Sequence, residues 1–361
     1  MSSFIMSAAI IAFAIVMLGM PSLIRLAVQK NLLDEPLEDR KVHQRSVPRL
    51  GGVLVFIATL VTTTAMVTPE GPTAIAFLRL AAGTTVLFFL GLKDDLSDLD
   101  PLKKLAVQLI VGLILILGGG FAIQDFGGLF GLGTIGTVPS VLFSLFVYVV
   151  VVNAVNLIDG IDTLASGYGL LATIAGAMWF GFTGQPDLAT LCLALSGALA
   201  GFIVFNISPA RIFLGDSGSL VLGMMLYVIA TGVISTPAEL VPSMWDHRSM
   251  PVLAMTLLAY PLVDTLRAFS LRLAQGRSPF SPDRSHIHHR LLELGLTHLQ
   301  AALTIHLYSA GMVALGFCMP AMDVTAAFFI LLGVAFSLPL VVWAIGKLRP
   351  TKAVNTAART T

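Results

Sequence analysis

Charged residues are scarce in this chain. Asp, Glu, Lys and Arg make up 11% of its 361 residues and the mean hydropathy is +0.90, whereas a soluble domain carries about 25% charged residues. This composition excludes a water-soluble globular enzyme. Cysteine is scarcer still. Cys192 and Cys318 each fall in or beside an apolar stretch, which leaves no disulfide framework and no thiolate metal site.

A cleavable signal peptide is also not expected. The start, Met1-Ser2-Ser3, has no basic segment, the apolar run after it is too long, and ten further apolar runs follow. Roughly 20 apolar residues cross the hydrocarbon of a bilayer as a helix. The sequence therefore predicts an all-α, polytopic membrane protein. Its eleven predicted spans are 4–24, 50–68, 73–92, 105–123, 138–153, 167–183, 188–206, 219–235, 251–269, 299–318 and 324–346.

Basic residues lie almost entirely on one side of these spans. Of the 21 Lys and Arg residues, 19 fall in one set of alternating loops and span ends; Arg248 lies in the other set and Arg79 lies within span three. Lys and Arg mark the cytoplasmic side of short loops. We therefore expect a multi-pass protein of the cell membrane, with its N-terminus outside and its C-terminus in the cytoplasm.

Most acidic residues, 14 of 20, fall on the same side. The cytoplasmic loops are too short to fold separately, so we expect residues 1–349 to form one integral membrane catalytic domain. The tail 350–361 is expected to be a disordered cytoplasmic segment. The loops that would build the site are 25–49, 93–104, 154–166, 207–218 and 270–298.

Two of these loops carry carboxylates that are candidates for binding a metal ion. Asp94 and Asp95 are adjacent at the inner end of span three, and Mg²⁺ is the ion usually held by one or two carboxylates plus substrate phosphates. The alternative is a solvated loop whose last acid, Asp100, caps the next helix at Pro101. Further on, Asp216 stands among glycines and serines ahead of span eight. Here the alternative is a helix N-cap.

A row of polar residues follows span five. Asn153, Asn156, Asp159 and Asp162 are three residues apart, a spacing that places them on roughly one face of a helix. Such rows in membrane proteins usually face a bundle interior or an aqueous cavity. The alternative is a capped helix end at Gly160.

Histidines and arginines fill the last cytoplasmic loop, 270–298. His286, His288, His289 and Arg290 are close enough in sequence to form a compact set that suits phosphate oxygens. Zinc binding and a solvated loop are the other two interpretations. Acids on three loops and Arg/His on a fourth together indicate a Mg²⁺ site beside a nucleotide diphosphate. This arrangement is typical of phosphoryl transfer.

Ordered blocks of residues support a resemblance to a known family. They are Asp34-Glu35-Pro36, Arg40-Lys41-Val42-His43, Pro48-Arg49-Leu50-Gly51-Gly52, Asp94-Asp95 with Lys104-Leu105, Asn156 with Asp159-Gly160-Ile161-Asp162, Phe213-Leu214-Gly215-Asp216-Ser217-Gly218-Ser219, Pro261-Leu262-Val263-Asp264, and Ser281-Pro282-Asp283-Arg284 with His286-Ile287-His288-His289-Arg290. These blocks resemble the polyprenyl-phosphate N-acetylhexosamine-1-phosphate transferases, multi-span enzymes that start bacterial cell-envelope glycans. The resemblance covers spans one to nine and the loop after them.

Within that family, the branch that uses UDP-GlcNAc and undecaprenyl phosphate is most similar. It serves O-antigen, common-antigen or teichoic-acid initiation, and another UDP-N-acetylhexosamine donor is the alternative. The peptidoglycan branch typically has consecutive histidines followed by Phe-Glu, unlike the residues from His286 to Leu291. One departure is Thr163, where the family usually has Gly; we expect it to narrow the backbone approach and tune the choice of sugar.

The resemblance implies roles for individual residues. Asp216 and Asn156 would hold Mg²⁺, or Mn²⁺ in its place. The implied partners are a UDP-N-acetylhexosamine and a polyprenyl phosphate in the bilayer, with no nucleic acid, and a homodimer is left open. The implied catalytic residues are Asp94, Asp95, Asp159 and Asp162, the last two lining the nucleotide or sugar pocket. The implied substrate-binding residues are Lys104, Asn153, His286, His288, His289, Arg290, Arg40 and His43.

Two rival classes remain to be compared. A secondary transporter would place charges near the bilayer midplane and often shows inverted repeats, whereas nearly every charge here lies at one face. A CDP-alcohol phosphotransferase would need further aspartates at four-residue spacing after its Asp-Gly. The next acid after Asp162 is Asp187, so that class is excluded.

Overall fold

The structure, a computed structural model, describes residues 3–32, 47–278 and 285–348. Helices dominate these ranges, which contain no β-strand. Asp125 and Thr134 form an isolated antiparallel β-bridge. The all-α prediction is therefore confirmed. The helices are α1 (Ser3–Gln29), α2 (Gly51–Met66), α3 (Gly71–Leu96), α4 (Pro101–Leu113), α5 (Thr137–Ile158), α6 (Leu164–Phe182), α7 (Pro186–Asn206), α8 (Gly215–Ile234), α9 (Met250–Ala274), α10 (Ile287–Glu293), α11 (His298–Phe317), α12 (Val324–Ala335) and α13 (Ser337–Leu348).

Within the described ranges, ten helical segments are long and apolar enough to cross a membrane. One of them is α4 with its π-helical continuation Ile114–Gly118, and another joins α12 and α13 across Phe336. The prediction of a polytopic membrane protein is confirmed. Span two, predicted as 50–68, corresponds to α2, which has 16 residues and rises only about 24 Å at about 1.5 Å per residue. Span four also begins and ends earlier than the predicted 105–123.

α8 forms the centre of the bundle. Of its membrane-spanning window, 89% is buried, compared with 22% for α1 and for the α12–α13 segment. α8 packs against α2, α3, α5, α6 and α9. A Cβ atom on Gly91 of α3 would lie 2.4 Å from the carbonyl carbon of Asp216, and one on Gly52 of α2 would lie 2.2 Å from the backbone nitrogen of Gly218. Glycine therefore lets α2 and α3 meet the start of α8 backbone to backbone.

Several helix starts follow from local sequence. Asp100 accepts hydrogen bonds from the backbone N–H groups of Leu102 and Lys103, at 3.0 and 3.2 Å, with Pro101 as the first residue of α4. The predicted cap at Asp100 is thus confirmed. Thr297 begins α11 with a capping box to Gln300. These caps satisfy backbone donors that the first helical turn leaves free.

Aromatic residues gather at the end of the bundle opposite Asp94 and Asp216. Trp245 lies 5.2 Å from Trp179 and 5.8 Å from Phe317 between ring centroids. Trp179 Nε1 also donates to the Thr236 hydroxyl at 3.0 Å. Amphipathic rings of this kind are enriched where a membrane meets water. One end of the bundle is therefore aromatic, whereas the other carries the acids Asp94 and Asp216.

Candidate active site

The predicted acids meet where the ends of four helices come together. Asp94 and Asp95 end α3, Lys104 lies in the first turns of α4, Asn156 ends α5, and Asp216 begins α8. Because α3 and α8 touch backbone to backbone at Gly91, these side chains are held within reach of one another. Three of the loops that the sequence analysis assigned to one membrane side, 93–104, 154–166 and 207–218, therefore converge at one end of the bundle.

Lys104 joins two of the acids. Its Nζ donates to Asp94 Oδ2 at 2.8 Å and also contacts Asp216 Oδ2. Lys104 and Asp94 are each 15% exposed at the side chain, and Asp216 is 29% exposed. The second oxygen of Asp94 accepts the backbone N–H of Leu99 at 2.7 Å. The ammonium group thus lies between two half-buried carboxylates.

Asp95 has a different role from its neighbour. Its two oxygens accept the backbone N–H groups of Asp216, at 2.7 Å, and Ser217, at 3.0 Å. Asp95 therefore caps α8 from α3, across the Gly91 contact. The N-cap interpretation of Asp216 is wrong, since the Asp216 side chain makes no capping bond and turns toward Lys104 and Asn156 instead.

The two asparagines of α5 point to different partners. Asn156 Nδ2 donates to Asp216 Oδ1 and to the Ser219 hydroxyl, both at 2.8 Å. Asn153 forms a two-way amide pair with Gln108 of α4, with N···O distances of 2.7 and 3.3 Å. Asn156 thus lies with Asp94, Asp95, Lys104 and Asp216, and these five residues form the acid cluster. The Asn153 amide instead joins α4 to α5.

The prediction that four polar residues share one helical face is wrong for the last two. α5 ends at Ile158, so Asp159 follows the helix and Asp162 lies in the turn before α6. Burial, together with the nearby carboxylates of Asp216 and Asp95, raises the pKa of Asp159 well above its ordinary value. Asp162 is buried, and its Oδ2 accepts the N–H of Ala210 at 3.3 Å.

Thr163 explains why glycine suits the position after Asp162. Its backbone has φ +64°, a left-handed conformation that is unusual for a β-branched residue. The Thr163 N–H donates to Asn206 Oδ1 at 2.8 Å, and its hydroxyl donates to the carbonyl of Asp162 at 2.7 Å. Contacts on both sides therefore hold this turn against its conformational preference.

The histidine loop is anchored by an acid of α9. Asp264 is fully buried; its Oδ2 lies 2.9 Å from His286 Nδ1, and its Oδ1 accepts the N–H of Ile287 at 2.7 Å. His288 is buried next to them, 5.7 Å from His286 and 4.2 Å from His289 between ring centroids. This arrangement fixes the start of α10.

His288 faces the turn after α5. A Cβ atom on Gly160 would lie 2.5 Å from His288 Nε2, and neither ring nitrogen has a hydrogen-bond partner among the described residues. Burial lowers the pKa of His288 to about 3, so the ring is neutral at physiological pH. Arg290 points elsewhere, to Glu293 at 2.8 Å on an exposed face. Arg40 and His43 lie outside the described residues.

The oxygen atoms available as metal ligands at this site suit a hard divalent cation. Two carboxylates, Asp94 and Asp216, and the amide of Asn156 supply oxygen atoms, and the structure already places a cationic group, the Lys104 ammonium, between the two acids. Mg²⁺ commonly uses one or two carboxylates and completes its shell with phosphate and water. No three His, Cys, Asp or Glu side chains cluster to hold a metal in the described ranges, so the zinc interpretation gains no support there.

Comparison with known proteins gives the family. A family described as Glycosyl transferase family 4 matches residues 77–234. The chain is 32% identical over 297 residues to an undecaprenyl-phosphate alpha-N-acetylglucosaminyl 1-phosphate transferase of Escherichia coli, covering 81% of this chain and 77% of that protein. It is 33% identical over 344 residues to a decaprenyl-phosphate N-acetylglucosaminephosphotransferase of Mycolicibacterium smegmatis, covering 90% and 84%. The chain belongs to glycosyl transferase family 4.

Membership of family 4 confirms the resemblance drawn from the ordered blocks. The family match contains the whole acid cluster, Asp94 to Asp216, but ends before the histidine loop. The transporter alternative is wrong, because the relatives of similar length are transferases.

The sequence analysis assigned no role to three contributors to the candidate site. Asp264 anchors His286, Gln108 engages Asn153, and His298 of α11 places its Nδ1 3.8 Å from Asp162 Oδ2. Asp264 had a usable signal, since a carboxylate within a predicted span is rare and points inward. Gln108 and His298 had none, because nothing in the sequence shows that α4 packs on α5 or that α11 begins beside the turn after α5.

Proposed function

We propose that this chain transfers N-acetylglucosamine 1-phosphate from UDP-N-acetylglucosamine to a polyprenyl phosphate, releasing UMP. The product is the lipid-linked diphospho-sugar that begins a cell-envelope polysaccharide. The observation that carries the proposal is the Lys104 ammonium between Asp94 and Asp216. The relatives that are a third identical are named for transfer to undecaprenyl or decaprenyl phosphate.

The reaction exchanges one phosphoanhydride bond for another. An oxygen of the lipid phosphate forms a bond to the β-phosphorus of the UDP-sugar, and the bond from that phosphorus to the bridging oxygen breaks. UMP leaves with the bridging oxygen. A phosphate monoester has its second pKa at about 6, so the acceptor is mostly dianionic at neutral pH and no net proton is transferred. The site therefore acts mainly by positioning the two substrates and neutralising their negative charge.

Lys104 and Asp94 are placed for the acceptor phosphate. The ammonium group can neutralise the approaching dianion, while Asp94 holds that group in place. The alternative is a covalent route, in which an Asp94 oxygen is the nucleophile. Both Asp94 oxygens already accept hydrogen bonds, from Leu99 and Lys104, which lowers their nucleophilicity and favours direct transfer.

We infer that Asp216 and Asn156 hold Mg²⁺, with Mn²⁺ able to replace it. When bound, such an ion neutralises charge on diphosphate oxygens. Asp95 supports this assignment by fixing the first turn of α8, so that Asp216 is held in one place. Substituting Asn for Asp216 should abolish turnover and leave the protein folded.

The donor is expected beside the turn after α5. His288 offers two unpartnered ring nitrogens next to Gly160, and His289 lies against it. A neutral imidazole can donate one hydrogen bond and accept another, which suits sugar hydroxyls or diphosphate oxygens. Asp159 and Asp162 lie on the same turn and would line the nucleotide or sugar pocket. That Arg290, Arg40 and His43 bind the UDP-sugar stays a prediction.

The membrane orientation also belongs to this proposal. We infer that the acid cluster faces the cytoplasm, because 19 of the 21 Lys and Arg residues fall on that side. A homodimer stays a prediction as well.

The test is UMP release by the detergent-purified protein. It should require a UDP-sugar, a polyprenyl phosphate and Mg²⁺ together. A panel of UDP-N-acetylhexosamines should identify UDP-N-acetylglucosamine as the best donor, and decaprenyl and undecaprenyl phosphate should be compared as acceptors. UMP release without any acceptor would support the covalent route, whereas no release with any donor would contradict the proposed reaction.

A further inference from the structure

Lys104 contacts the carboxylate that is proposed to bind the divalent cation. Its ammonium group reaches Asp216 Oδ2, while Asp216 Oδ1 accepts from Asn156. Both oxygens of Asp216 therefore already have a donor, and one of those donors carries a full positive charge.

We propose that Lys104 is an internal cation that competes with the divalent ion for Asp216, so that the divalent ion and the acceptor phosphate bind cooperatively. This inference rests on the proposed function. It adds a coupling between the two ligands that neither the donor set nor the reaction requires by itself.

Charge explains the competition. A divalent ion on Asp216 Oδ2 would stand next to the Lys104 ammonium, and like charges a few ångströms apart in a half-buried site repel strongly. Lys104 therefore has to leave Asp216 when the ion arrives. Without a divalent ion, the ammonium is what balances Asp94 and Asp216, which are 15% and 29% exposed.

Lys104 has a second partner that it can keep when it leaves Asp216. Its Nζ also donates to Asp94 Oδ2 at 2.8 Å, so it can release Asp216 and keep one partner. A lysine ammonium has three donors on a flexible four-carbon stem, so the donor freed from Asp216 is available to the acceptor phosphate.

The coupling then acts in both directions. A bound phosphate holds the ammonium away from Asp216 and so strengthens divalent-ion binding. A bound ion frees the ammonium and so strengthens phosphate binding by the same factor, as linkage requires. The neighbouring Lys103 is exposed, and its backbone N–H bonds to Asp100, which makes it a matched control.

The experiment measures Mn²⁺ binding to the full-length protein in detergent by electron paramagnetic resonance, without UDP-sugar. The proteins are wild type, Lys104→Met, Lys104→Arg, Lys103→Met and Asp216→Asn, each with and without undecaprenyl phosphate. Size-exclusion profiles and thermal midpoints check that each is folded. Lys104→Arg keeps the charge and should therefore keep the competition. If Lys104→Met does not fold, Mn²⁺ binding to wild type that the lipid phosphate leaves unchanged would by itself overturn the proposal.

We expect the lipid phosphate to tighten Mn²⁺ binding to wild type and Lys103→Met about ten-fold, within the usual range of coupling between sites. Lys104→Met should bind Mn²⁺ about ten-fold tighter than wild type without lipid, and the lipid should then add little. Lys104→Arg should bind Mn²⁺ as weakly as wild type or more weakly.

Mn²⁺ binding to Lys104→Met that is no tighter than to wild type would overturn the proposal. If Mn²⁺ binding were lost in Asp216→Asn in the same experiment, the assignment of Asp216 as a metal ligand in the proposed function would still stand. Mn²⁺ binding that is unchanged in Asp216→Asn would overturn both the coupling and that assignment, while UMP release tests the transfer reaction separately.

Discussion

At the residue scale, adjacent carboxylates carry different tasks. Asp94 pairs with Lys104, whereas Asp95 holds the first turn of α8 through two backbone N–H groups. Asp95→Asn should therefore lower stability by about 1 to 3 kcal/mol, because the amide nitrogen cannot accept and one of the two N–H groups loses its partner. It should also reduce turnover because Asp216 is less firmly held. Asp94→Asn should lose turnover with a smaller change in thermal midpoint, because Lys104 keeps Asp216 as a partner. An Asp95→Asn variant that lost activity at an unchanged midpoint would show a direct role in catalysis instead.

His288 gives the protein a pH-dependent stability. Burial lowers the pKa of His288 to about 3, from an ordinary value of 6.5. Below pH 6.5 the unfolded chain therefore takes up a proton that the folded protein does not, so this residue makes stability fall as the pH falls, by at most about 1.4 kcal/mol per pH unit. Above pH 6.5 it contributes no pH dependence.

The measurement compares thermal midpoints of wild type and His288→Gln from pH 7.5 to 5. The midpoint of wild type should fall more steeply with decreasing pH, because glutamine does not titrate. Parallel curves would contradict burial of a neutral His288.

Thr163 should be replaceable by glycine with a gain in stability. Its φ of +64° costs roughly 1 to 2 kcal/mol in a residue with a side chain, and glycine removes that cost. Loss of the hydroxyl contact to Asp162 offsets part of the gain. Thr163→Gly should therefore raise the thermal midpoint, and Thr163→Ala, which loses the hydroxyl and keeps the strain, should lower it. The opposite order would show that the turn is not strained.

Residue types in the site could be predicted from the sequence, but their partners could not. Acids on three loops and a histidine loop at one side of the membrane were enough to indicate divalent-cation and phosphate chemistry. The three-residue spacing from Asn153 to Asp162 could not show that α5 ends at Ile158, because periodicity continues past a helix end. Nor could it show that Gln108 takes up the amide of Asn153.

At the scale of elements, contact between α3 and α8 sets the distance between the acids. A Cβ atom on Gly91 would lie 2.4 Å from the carbonyl carbon of Asp216, so Gly91→Ala should push the two helices apart. We expect a loss of about 1 to 3 kcal/mol in stability, as for overpacked cores, and a large loss of UMP release.

Gly311→Ala is the matched control, since a Cβ atom there meets nothing within 4 Å. It makes the same chemical change in α11 and should leave the stability and the UMP release nearly unchanged. If Gly91→Ala behaved like Gly311→Ala, the close contact of α3 with α8 would not be what positions the acids.

Most membrane-spanning elements could be predicted because apolar length is a direct physical requirement of the bilayer. The sequence could not show that α2 is only 16 residues long or that the last span is divided at Phe336. Both segments are apolar throughout, and hydropathy does not distinguish a helix end from an apolar connection.

At the scale of the whole molecule, the native cysteines can test the orientation. Cys318 is exposed and ends α11 at the aromatic end of the bundle, whereas Cys192 is buried in α7. In intact cells, a membrane-impermeant maleimide added outside should therefore label Cys318 and spare a Cys318→Ser variant. Labelling of Cys318 only after the cells are opened would reverse the inferred orientation.

The central claim is that the acid cluster at one end of this bundle transfers a sugar phosphate to a lipid phosphate. The most direct measurement is mass spectrometry of the lipid formed by purified wild type and by Asp216→Asn from UDP-N-acetylglucosamine, polyprenyl phosphate and Mg²⁺. Wild type should yield a polyprenyl diphospho-N-acetylglucosamine with one UMP per product, and folded Asp216→Asn should yield neither. Equal product from Asp216→Asn, or no such lipid from wild type, would contradict the claim.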